Sequence, residues 1–186
     1  MTLLQRSEER LMTGEELFRR PDLNPCELVN GRVVPLSPAG AIHGKVELRL
    51  GSKLLTYADE SGRGLAMSGE VGIWIRRDPD TVRGADLLFI SRERYARRGT
   101  SGFLDVAPEL VIEILSPTDR WSEVVEKIAD YFAAGVNRVW VVDPTRRRVS
   151  SYGSSTEIRY FEIGGILTDE ELLPGFGVQT SDLFRE

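Results

Sequence analysis

Residues 110–115 read Leu-Val-Ile-Glu-Ile-Leu, and this run decides the fold. A near-continuous apolar run of this length is typical of a strand in the middle of a sheet that is covered on both faces. A helical pattern follows at residues 120–134 and ends at Gly135, and the apolar run Val-Trp-Val-Val occupies residues 139–142. Together these segments predict a strand–helix–strand unit whose two strands are parallel.

Glu113 interrupts the first of these apolar runs with a carboxylate. A carboxylate in a buried strand is costly unless another group compensates its charge. Asp86 opens a second apolar run at residues 86–90, and Lys127 lies in the predicted helix. Two carboxylates brought together repel and raise each other's pKa, and a divalent cation between them removes that conflict. The pair therefore suggests a metal site.

The flanking sequence predicts further elements on both sides of this unit. Asn30-Gly31 lies between two apolar runs and is a strong local signal for a tight hairpin over residues 26–36. A long amphipathic helix over 41–58 is predicted from apolar residues at helical spacing, namely Ile42, Val46, Leu50, Leu54 and Leu55. The remaining predictions are a short helix after Thr13, strands at 65–68, 71–75 and 86–90, a short helix from Ser91, a polar-faced antiparallel pair at 149–153 and 158–163, and a packed coil at 173–176.

This order of elements predicts an α/β fold. Its core is a helix, three strands, a helix and a strand (αβββαβ), and these form a mixed β-sheet with helices on both faces. The predicted N-terminal hairpin precedes the core, and the antiparallel pair extends it toward the C-terminus.

Composition limits the class of protein. The chain has 186 residues, 41% of them hydrophobic, which suits one domain over residues 1–186, with residues 1–12 expected to be flexible. The net charge of −5 argues weakly against a protein that coats nucleic acid, but it allows a local basic groove. Cys26 is the only cysteine, so an internal disulfide is excluded and a cytoplasmic location is expected. No apolar run approaches the roughly 20 residues of a membrane helix.

The order of the predicted helices and strands, together with the sequence motifs, resembles the PD-(D/E)XK nuclease superfamily, which has the restriction-endonuclease-like fold. Within it, the chain is similar to a large bacterial family of restriction-endonuclease-like proteins of unknown function, from about residue 13 onward. The resemblance is carried by Glu27-Leu28-Val29-Asn30-Gly31, Ser37-Pro38 with His43, Ala85-Asp86-Leu87, residues 108–117 (Pro-Glu-Leu-Val-Ile-Glu-Ile-Leu-Ser-Pro), Lys127, Tyr131, Ala134-Gly135-Val136, residues 139–144 (Val-Trp-Val-Val-Asp-Pro) and Leu173-Pro174-Gly175-Phe176.

Two positions depart from the superfamily pattern. Ala85 replaces the proline that usually precedes the aspartate. Leu115 occupies the position, two residues after the glutamate, where the superfamily places its lysine. The family resemblance makes Lys127 the equivalent lysine, displaced to the following helix, from which its ammonium can reach the end of the Glu113 strand.

The resemblance implies hydrolysis of DNA phosphodiester bonds. Asp86 and Glu113 would bind Mg²⁺ (or Mn²⁺), which prefers oxygen ligands, and Lys127 would complete the catalytic set. Glu27 in the hairpin is the expected additional metal ligand, and Glu70 is a weaker candidate for the same place. A homodimer is expected because many enzymes that cut both strands are dimers.

Each of these residues also has a plainer interpretation. Lys127 could be a surface lysine that pairs with Glu123, and Glu27 could be a solvated hairpin acid. His43, the only histidine, could be catalytic, structural or phosphate-facing. Tyr131 lies one turn after Lys127 and could orient it, although a packed aromatic is favoured. For the arginines at 92, 94, 97 and 98, a solvated face is favoured over phosphate contacts.

Competing function classes differ in how well the sequence supports them. The alternative to a nuclease is a non-catalytic module on the same fold that binds nucleic acid or a protein, because fold does not fix function. The sequence has no Gly-x-Ser-x-Gly elbow, few soft zinc ligands and no glycine-rich phosphate loop. Serine or cysteine hydrolases, zinc enzymes and nucleoside triphosphatases are therefore poorly supported.

Overall fold

The structure, a computed structural model, describes residues 10–99 and 102–185. The helices are α1 (Gly14–Phe18), α2 (Ala41–Ser61), α3 (Arg92–Ala96), α4 (Trp121–Ala134) and α5 (Thr180–Phe184). The strands are β1 (Cys26–Val29), β2 (Arg32–Pro35), β3 (Gly64–Arg76), β4 (Thr81–Ser91), β5 (Leu110–Ile114), β6 (Arg138–Asp143), β7 (Arg148–Tyr152), β8 (Ile158–Phe161), β9 (Ile166–Leu167) and β10 (Val178–Gln179).

The predicted strand–helix–strand unit forms the centre of the fold. β5 and β6 run parallel, with Glu113 paired to Val141, and α4 connects them. α4 ends at Gly135, whose φ of 98° is a left-handed conformation that glycine adopts without strain. The other described strand pairs are antiparallel, which confirms the predicted mixed sheet.

One sheet contains eight of the described strands. Its order is β2-β1-β4-β5-β6-β7-β8, and β3 pairs with β4. β4 therefore contacts β3 on one side, and on the other it contacts first β1 and then β5. This central position places β4 and β5, which carry Asp86 and Glu113, side by side.

The two faces of the sheet carry separate hydrophobic clusters. Alternate residues of each strand point to opposite faces, so Ile112 packs on the α2 side and Val111 on the α4 side. The α2 side also receives the C-terminal residues, including Leu173 and Phe176, which confirms the predicted packed coil. Trp140 is fully buried on the same side, as expected of a core residue.

Helix α2 forms as predicted, but its apolar face differs from the expected stripe. Val46, Leu50 and Leu54 are buried, whereas Ile42 is 63% and Leu55 is 51% exposed. Each residue turns the helix by about 100°, so Leu55, directly after the buried Leu54, points away from the sheet. The prediction that Ile42 and Leu55 belong to the buried stripe is therefore wrong.

Three further local predictions are refined by the structure. The strands predicted at 65–68 and 71–75 are one bulged strand, β3. β4 begins at Thr81, so Asp86 lies within the strand instead of at its start. The pair β7–β8, predicted to be polar-faced, is solvent-exposed only at β8, because β7 is buried from Val149 to Tyr152 between β6 and β8.

The N-terminal hairpin and its neighbours follow the predicted turn chemistry. β1 and β2 pair around Asn30-Gly31, and both turn residues have positive φ. Thr13 caps α1 in a capping box with Glu16. Of the segment expected to be flexible, residues 1–9 lie outside the described residues, and the Met12 backbone donates a hydrogen bond to the Gly31 carbonyl. No helix in the described part of the chain is both long and apolar enough to cross a membrane.

Candidate active site

Glu113 is the centre of a buried hydrogen-bonded cluster on the α4 side of the sheet. Lys127 Nζ lies 2.7 Å from Glu113 Oε2, and the Tyr131 hydroxyl lies 2.7 Å from Glu113 Oε1. Lys127 and Tyr131 are one helical turn apart on α4, so both reach the same strand. The Tyr131 hydroxyl also donates to the Gly84 carbonyl at 2.9 Å, which ties α4 to β4. Lys127 is therefore part of a buried cluster and not a solvated lysine paired with Glu123.

Asp86 lies beside this cluster, at the end of β5. Its Oδ2 accepts a 2.6 Å hydrogen bond from the backbone N–H of Ile114, the residue that follows Glu113. Its Oδ1 lies 3.3 Å from His43 Nε2 in the first turn of α2. The other nitrogen of His43, Nδ1, lies 3.5 Å from the Ser116 hydroxyl. His43 thus bridges α2, β4 and the segment that follows β5.

A β-bulge in β3 places Glu70 next to Asp86. The register shifts between Ser68 and Val71, so Gly69 and Glu70 of β3 oppose the single residue Asp86 of β4. Glu70 has a φ of 56°, a left-handed conformation that is strained for a residue with a side chain. Asp86 is close enough to raise the pKa of the Glu70 carboxyl. The bulge therefore aims a third carboxylate at the site.

The glycine at position 84 makes room for this arrangement. A Cβ atom at Gly84 would lie 2.7 Å from Glu70 Oε2, so a larger residue would collide with the carboxylate. The Gly84 backbone is used as well, since its N–H donates to Glu27 and its carbonyl accepts from Tyr131.

Glu27 approaches the cluster from the hairpin side. It is buried, and its Oε1 lies 3.1 Å from Lys127 Nζ and 3.0 Å from the Gly84 amide nitrogen. Its Oε2 accepts a hydrogen bond from Arg83 Nη1 at 2.9 Å. Glu27 is therefore not a solvated hairpin acid. Its role as a metal ligand stays a prediction, and its contacts point toward Lys127.

Burial and like charge raise the pKa of two carboxyl groups in the cluster. Burial raises the pKa of Glu113 to about 8, because this effect and the nearby Asp86 outweigh the opposing influence of Lys127. Loss of hydration raises the pKa of the Glu70 carboxyl to about 7, and Asp86 adds to that shift. Both groups hold a proton more readily than ordinary glutamates do, which is the expected behaviour of crowded carboxylates.

The pKa values of the neighbouring groups shift in different directions. Burial alone would lower the pKa of Lys127, but Glu113 and Glu27 raise it above its usual value, so the ammonium stays charged. Burial alone would raise the pKa of Asp86, but the hydrogen bond from His43 lowers it overall. The same hydrogen bond raises the pKa of His43. The site thus combines a fixed cation with carboxylates that differ in their readiness to ionise.

The carboxylates of this site are suitable ligands for a hard divalent cation, although they are not arranged as a complete metal site. Asp86, Glu113 and Glu70 supply carboxylate oxygens, the ligands that Mg²⁺ prefers, and their mutual repulsion is what a cation would relieve. Among residues 10–99 and 102–185, no three His, Cys, Asp or Glu side chains are arranged to hold a metal ion. Lys127, Tyr131 and His43 occupy carboxylate oxygens instead, so a cation would have to compete with these contacts.

The predicted arginine cluster makes local contacts outside this site. Arg94 pairs with Glu109 at 3.2 Å, and Arg97 pairs with Glu93 on the same short helix. Arg98 lies over the ring of Tyr95. Arg92 donates to the Gly62 carbonyl. These contacts favour a structural role over phosphate binding.

Sequence reasoning missed three contributors to the site, Arg83, Glu47 and Ser116. Glu47 follows His43 by one helical turn, and its Oε2 lies 3.9 Å from His43 Nε2. Ser116 belongs to the motif at residues 108–117, and that motif indicates no role for its hydroxyl. Arg83 carries the clearest signal that was available, because this charged residue between Val82 and Gly84 lies in a strand that is buried from Thr81 to Ile90.

The sheet, its flanking helices and the carboxylate–lysine cluster at the end of β5 define the class: a protein with the restriction-endonuclease-like fold. Residues 15–181 match the model of the Uma2 family, described as "Putative restriction endonuclease", and the chain belongs to that family. This membership confirms the resemblance that the motifs indicate.

A solved structure supports the fold independently. The chain is similar to the crystal structure of "a putative nuclease belonging to DUF820" from Anabaena variabilis, with a TM-score of 0.78 and 21% sequence identity. The similarity covers 93% of this chain and 97% of that one. At this identity the comparison shows a shared fold. No curated protein matches the chain.

Proposed function

We propose that this protein is a metal-dependent endonuclease that hydrolyses phosphodiester bonds of DNA and uses Mg²⁺ or Mn²⁺. The convergence of Asp86, Glu113 and Lys127 at the end of β5 is the observation that carries the proposal. Two carboxylates and a fixed ammonium supply, in one place, ligands for a divalent cation and a positive charge for a phosphate. Membership of a family described as restriction endonucleases agrees with this chemistry.

Asp86 and Glu113 would hold the metal, and we propose Glu70 as the third carboxylate. Glu70 lies opposite Asp86 across the bulge, and the strained bulge has an explanation if it serves to bring this carboxyl to the metal. A bound Mg²⁺ would supply a Lewis acid for the phosphate and make a water molecule more acidic. The protons that Glu70 and Glu113 hold more readily than usual would leave when the cation binds.

The protein's own side chains have distinct tasks in this proposal. Lys127 stabilises negative charge that develops on the phosphate, and it does not act as a base, because its pKa is raised. Tyr131 holds Glu113 from one side. His43 and the Ile114 amide hold Asp86 from the other, so the two carboxylates are fixed in direction before substrate binds.

The decisive experiment is cleavage of supercoiled plasmid with Mg²⁺ or Mn²⁺ by the wild type and by Asp86→Asn and Glu113→Gln. Both variants remove a ligand charge and keep the side-chain shape. We expect wild-type nicking that stops with EDTA and falls by about 10³-fold or more in each variant. Leu55→Ala, at an exposed position on α2, is the matched control. If wild type and variants show the same trace cleavage, the nuclease proposal is wrong.

A binding module without catalysis is the second candidate. The observation that favours it is that Glu113 and Asp86 already have protein hydrogen-bond partners, so no cation is needed to hold them in place. Calorimetry with Mg²⁺ separates the two functions. Metal binding that is lost in Asp86→Asn favours the nuclease, whereas no binding in the wild type favours the module.

We also propose a homodimer, because two active sites in one assembly can cut both strands of a duplex at one place. Sedimentation velocity at the concentration of the cleavage assay tests this directly. A monomer that makes double-strand cuts there contradicts the proposed dimer without affecting the nuclease assignment.

A further inference from the structure

Arg83 is a buried guanidinium surrounded by three carboxylates. It is 8% exposed and donates from Nη1 to Glu27 at 2.9 Å, from Nε to Asp130 at 2.8 Å and from Nη2 to Glu126 at 3.2 Å. These partners come from two elements, β1 and α4, while Arg83 itself lies in β4. One side chain therefore joins the hairpin, the central strand and the helix that carries Lys127.

The contacts on α4 lie on either side of Lys127. Glu126 immediately precedes Lys127, and Asp130 follows it by three residues, so Arg83 holds the helix at both positions. A planar guanidinium presents its N–H donors in fixed directions, whereas a lysine ammonium is a compact charge on a flexible stem. These two contacts fix the rotation of α4 about its own axis. They therefore also fix the direction in which the Lys127 side chain extends from the helix.

Glu27 transmits the same constraint to the end of the Lys127 side chain. Arg83 holds one oxygen of Glu27, and the other oxygen receives the Gly84 amide and lies 3.1 Å from Lys127 Nζ. Lys127 Nζ also contacts Glu113 at 2.7 Å. An ammonium has three N–H groups, so these two carboxylates leave one for a substrate oxygen. The lysine is thus fixed at its base and at its tip.

Stability alone is a poor explanation for this network. Arg83 and Glu27 are both buried, and taking such charges out of water costs free energy. A well-packed apolar pair in the same place would not have that desolvation cost. Positioning of a catalytic group does account for it, because small displacements of such a group have large effects on rate.

We infer that Arg83 and Glu27 are positioning residues that hold the Lys127 ammonium against Glu113, ready to receive a phosphate oxygen. The catalytic purpose of this arrangement rests on the proposed function. Whether Glu27 and Arg83 hold Lys127 in place can be measured without any nuclease assay. The arrangement gives Glu27 a task different from metal binding, because its oxygens contact Arg83, the Gly84 amide and the Lys127 ammonium.

The chain is well suited to a direct test, because its only lysines are Lys45, Lys53 and Lys127. The rate at which an amine-reactive reagent labels each lysine can be followed by peptide mass spectrometry, with Lys45 and Lys53 as internal references. An amine that is held by two carboxylates, on a side chain only 18% exposed, reacts slowly. In Glu27→Gln, which keeps the hydrogen-bonding shape and removes the charge, we expect Lys127 labelling to rise about tenfold relative to Lys53.

Activity supplies the second measurement. If the protein cleaves DNA, Glu27→Gln should lower kcat by about 10- to 100-fold with little change in KM, since a displaced lysine weakens transition-state contacts more than binding. Arg83→Lys should behave like Glu27→Gln, because a single ammonium cannot span the three carboxylates. Arg76→Met is the matched control: its side chain is more exposed, it also faces Asp130, at 3.6 Å, and it should leave labelling and kcat unchanged.

Two results would overturn the inference. One is a Glu27→Gln variant that has the same free energy of unfolding as the wild type and the same rate of Lys127 labelling. The other is loss of Mg²⁺ binding in Glu27→Gln with unchanged labelling, which would make Glu27 a metal ligand. If the wild type does not cleave DNA at all, the proposed function fails, and the labelling comparison still decides whether Glu27 and Arg83 hold Lys127.

Discussion

Helices α2 and α4 cover opposite faces of the same sheet, and they do so with different chemistry. The body of α2 packs through apolar residues, among them Val46, Leu50 and Leu54. α4 packs through Ile128 but also turns Lys127, Asp130 and Tyr131 toward the sheet. One face is an ordinary hydrophobic core, and the other is a core interrupted by a cluster of buried charges.

The difference shows how the fold divides its tasks. On the α2 face, stability arises from apolar area removed from water and from close packing. On the α4 face, desolvation of charges opposes stability, and the contacts define directions for individual side chains. We therefore expect substitutions on the α2 face to change the free energy of unfolding, and those on the α4 face to change activity.

The largest effect is expected from Lys127→Met on the α4 face. Methionine keeps the length of the apolar stem and removes the charge, so cleavage should fall by about 10³-fold. Glu113 can then take up a proton, because its pKa is already raised to about 8, and the protein should still fold. Plasmid cleavage and circular dichroism measure the two quantities. The control is Lys53→Met, an exposed position on α2; cleavage by Lys127→Met within twofold of wild type would refute the prediction.

The counterpart on the α2 face is Leu54→Ala. Leu54 is fully buried, and its truncation leaves a cavity, so the free energy of unfolding should fall by about 3 kcal/mol. The neighbouring Leu55 is 51% exposed, and Leu55→Ala should change stability by less than about 1 kcal/mol. Urea denaturation gives both values. A Leu54→Ala variant whose folded molecules cleave much more slowly than wild type would show that the two faces are not independent.

Tyr131→Phe should have an intermediate effect on both quantities. The substitution removes the hydroxyl that contacts Glu113 and Gly84, which should cost about 1–2 kcal/mol of stability and about tenfold in cleavage rate. Tyr160→Phe, at an exposed position on β8, should change neither. Equal behaviour of the two variants would mean that the Tyr131 hydroxyl does not hold Glu113.

The smallest effect is the dependence of stability on pH in the metal-free protein. Glu70 and Glu113 have pKa values raised to about 7 and about 8, above the 4.5 of an ordinary glutamate, and the pKa of His43 is also raised. Between about pH 6 and pH 9 the folded protein therefore binds more protons than the unfolded chain, so its stability falls as pH rises. We expect Tm to decrease as pH rises through this range.

Differential scanning calorimetry with EDTA measures this slope, and Glu70→Gln provides the control. Glutamine does not titrate, so the Tm of Glu70→Gln should depend less on pH than that of wild type. Addition of Mg²⁺ should restore Tm more at high pH than at low pH, because deprotonated carboxylates bind the cation better. A wild-type Tm that rises from pH 6 to pH 9 would contradict the assignment of these shifts.

Much of the fold follows from local patterns. The apolar run around Glu113, the Asn30-Gly31 turn and the Gly135 helix end each specify their own element through side-chain periodicity or backbone preference. Where the local pattern was ambiguous, prediction failed: Leu55 fits a helical stripe as well as Leu54 does. Only contact with the sheet distinguishes the buried residue from the exposed one.

The candidate site could be predicted only in part. Glu113 stood out because a carboxylate in an apolar strand has no comfortable alternative, and the motif series added Asp86 and Lys127. Arg83 was missed because its partners Asp130 and Glu27 lie 47 and 56 residues away along the chain. Pairings over such distances leave no periodic pattern in a single sequence.

The sequence by itself determined the parallel unit around Glu113 and the hairpin at Asn30-Gly31. It also showed a set of carboxylates that need groups of opposite charge nearby. The spacing of apolar residues, the turn preferences and the free-energy cost of burying a carboxylate are local properties, set by the side chains and the backbone. The tertiary structure alone decided which group compensates which: Lys127 for Glu113 and Glu27, and His43 for Asp86. These pairings depend on how α2, α4 and the β3 bulge pack against the sheet, because charges interact through space and not along the chain.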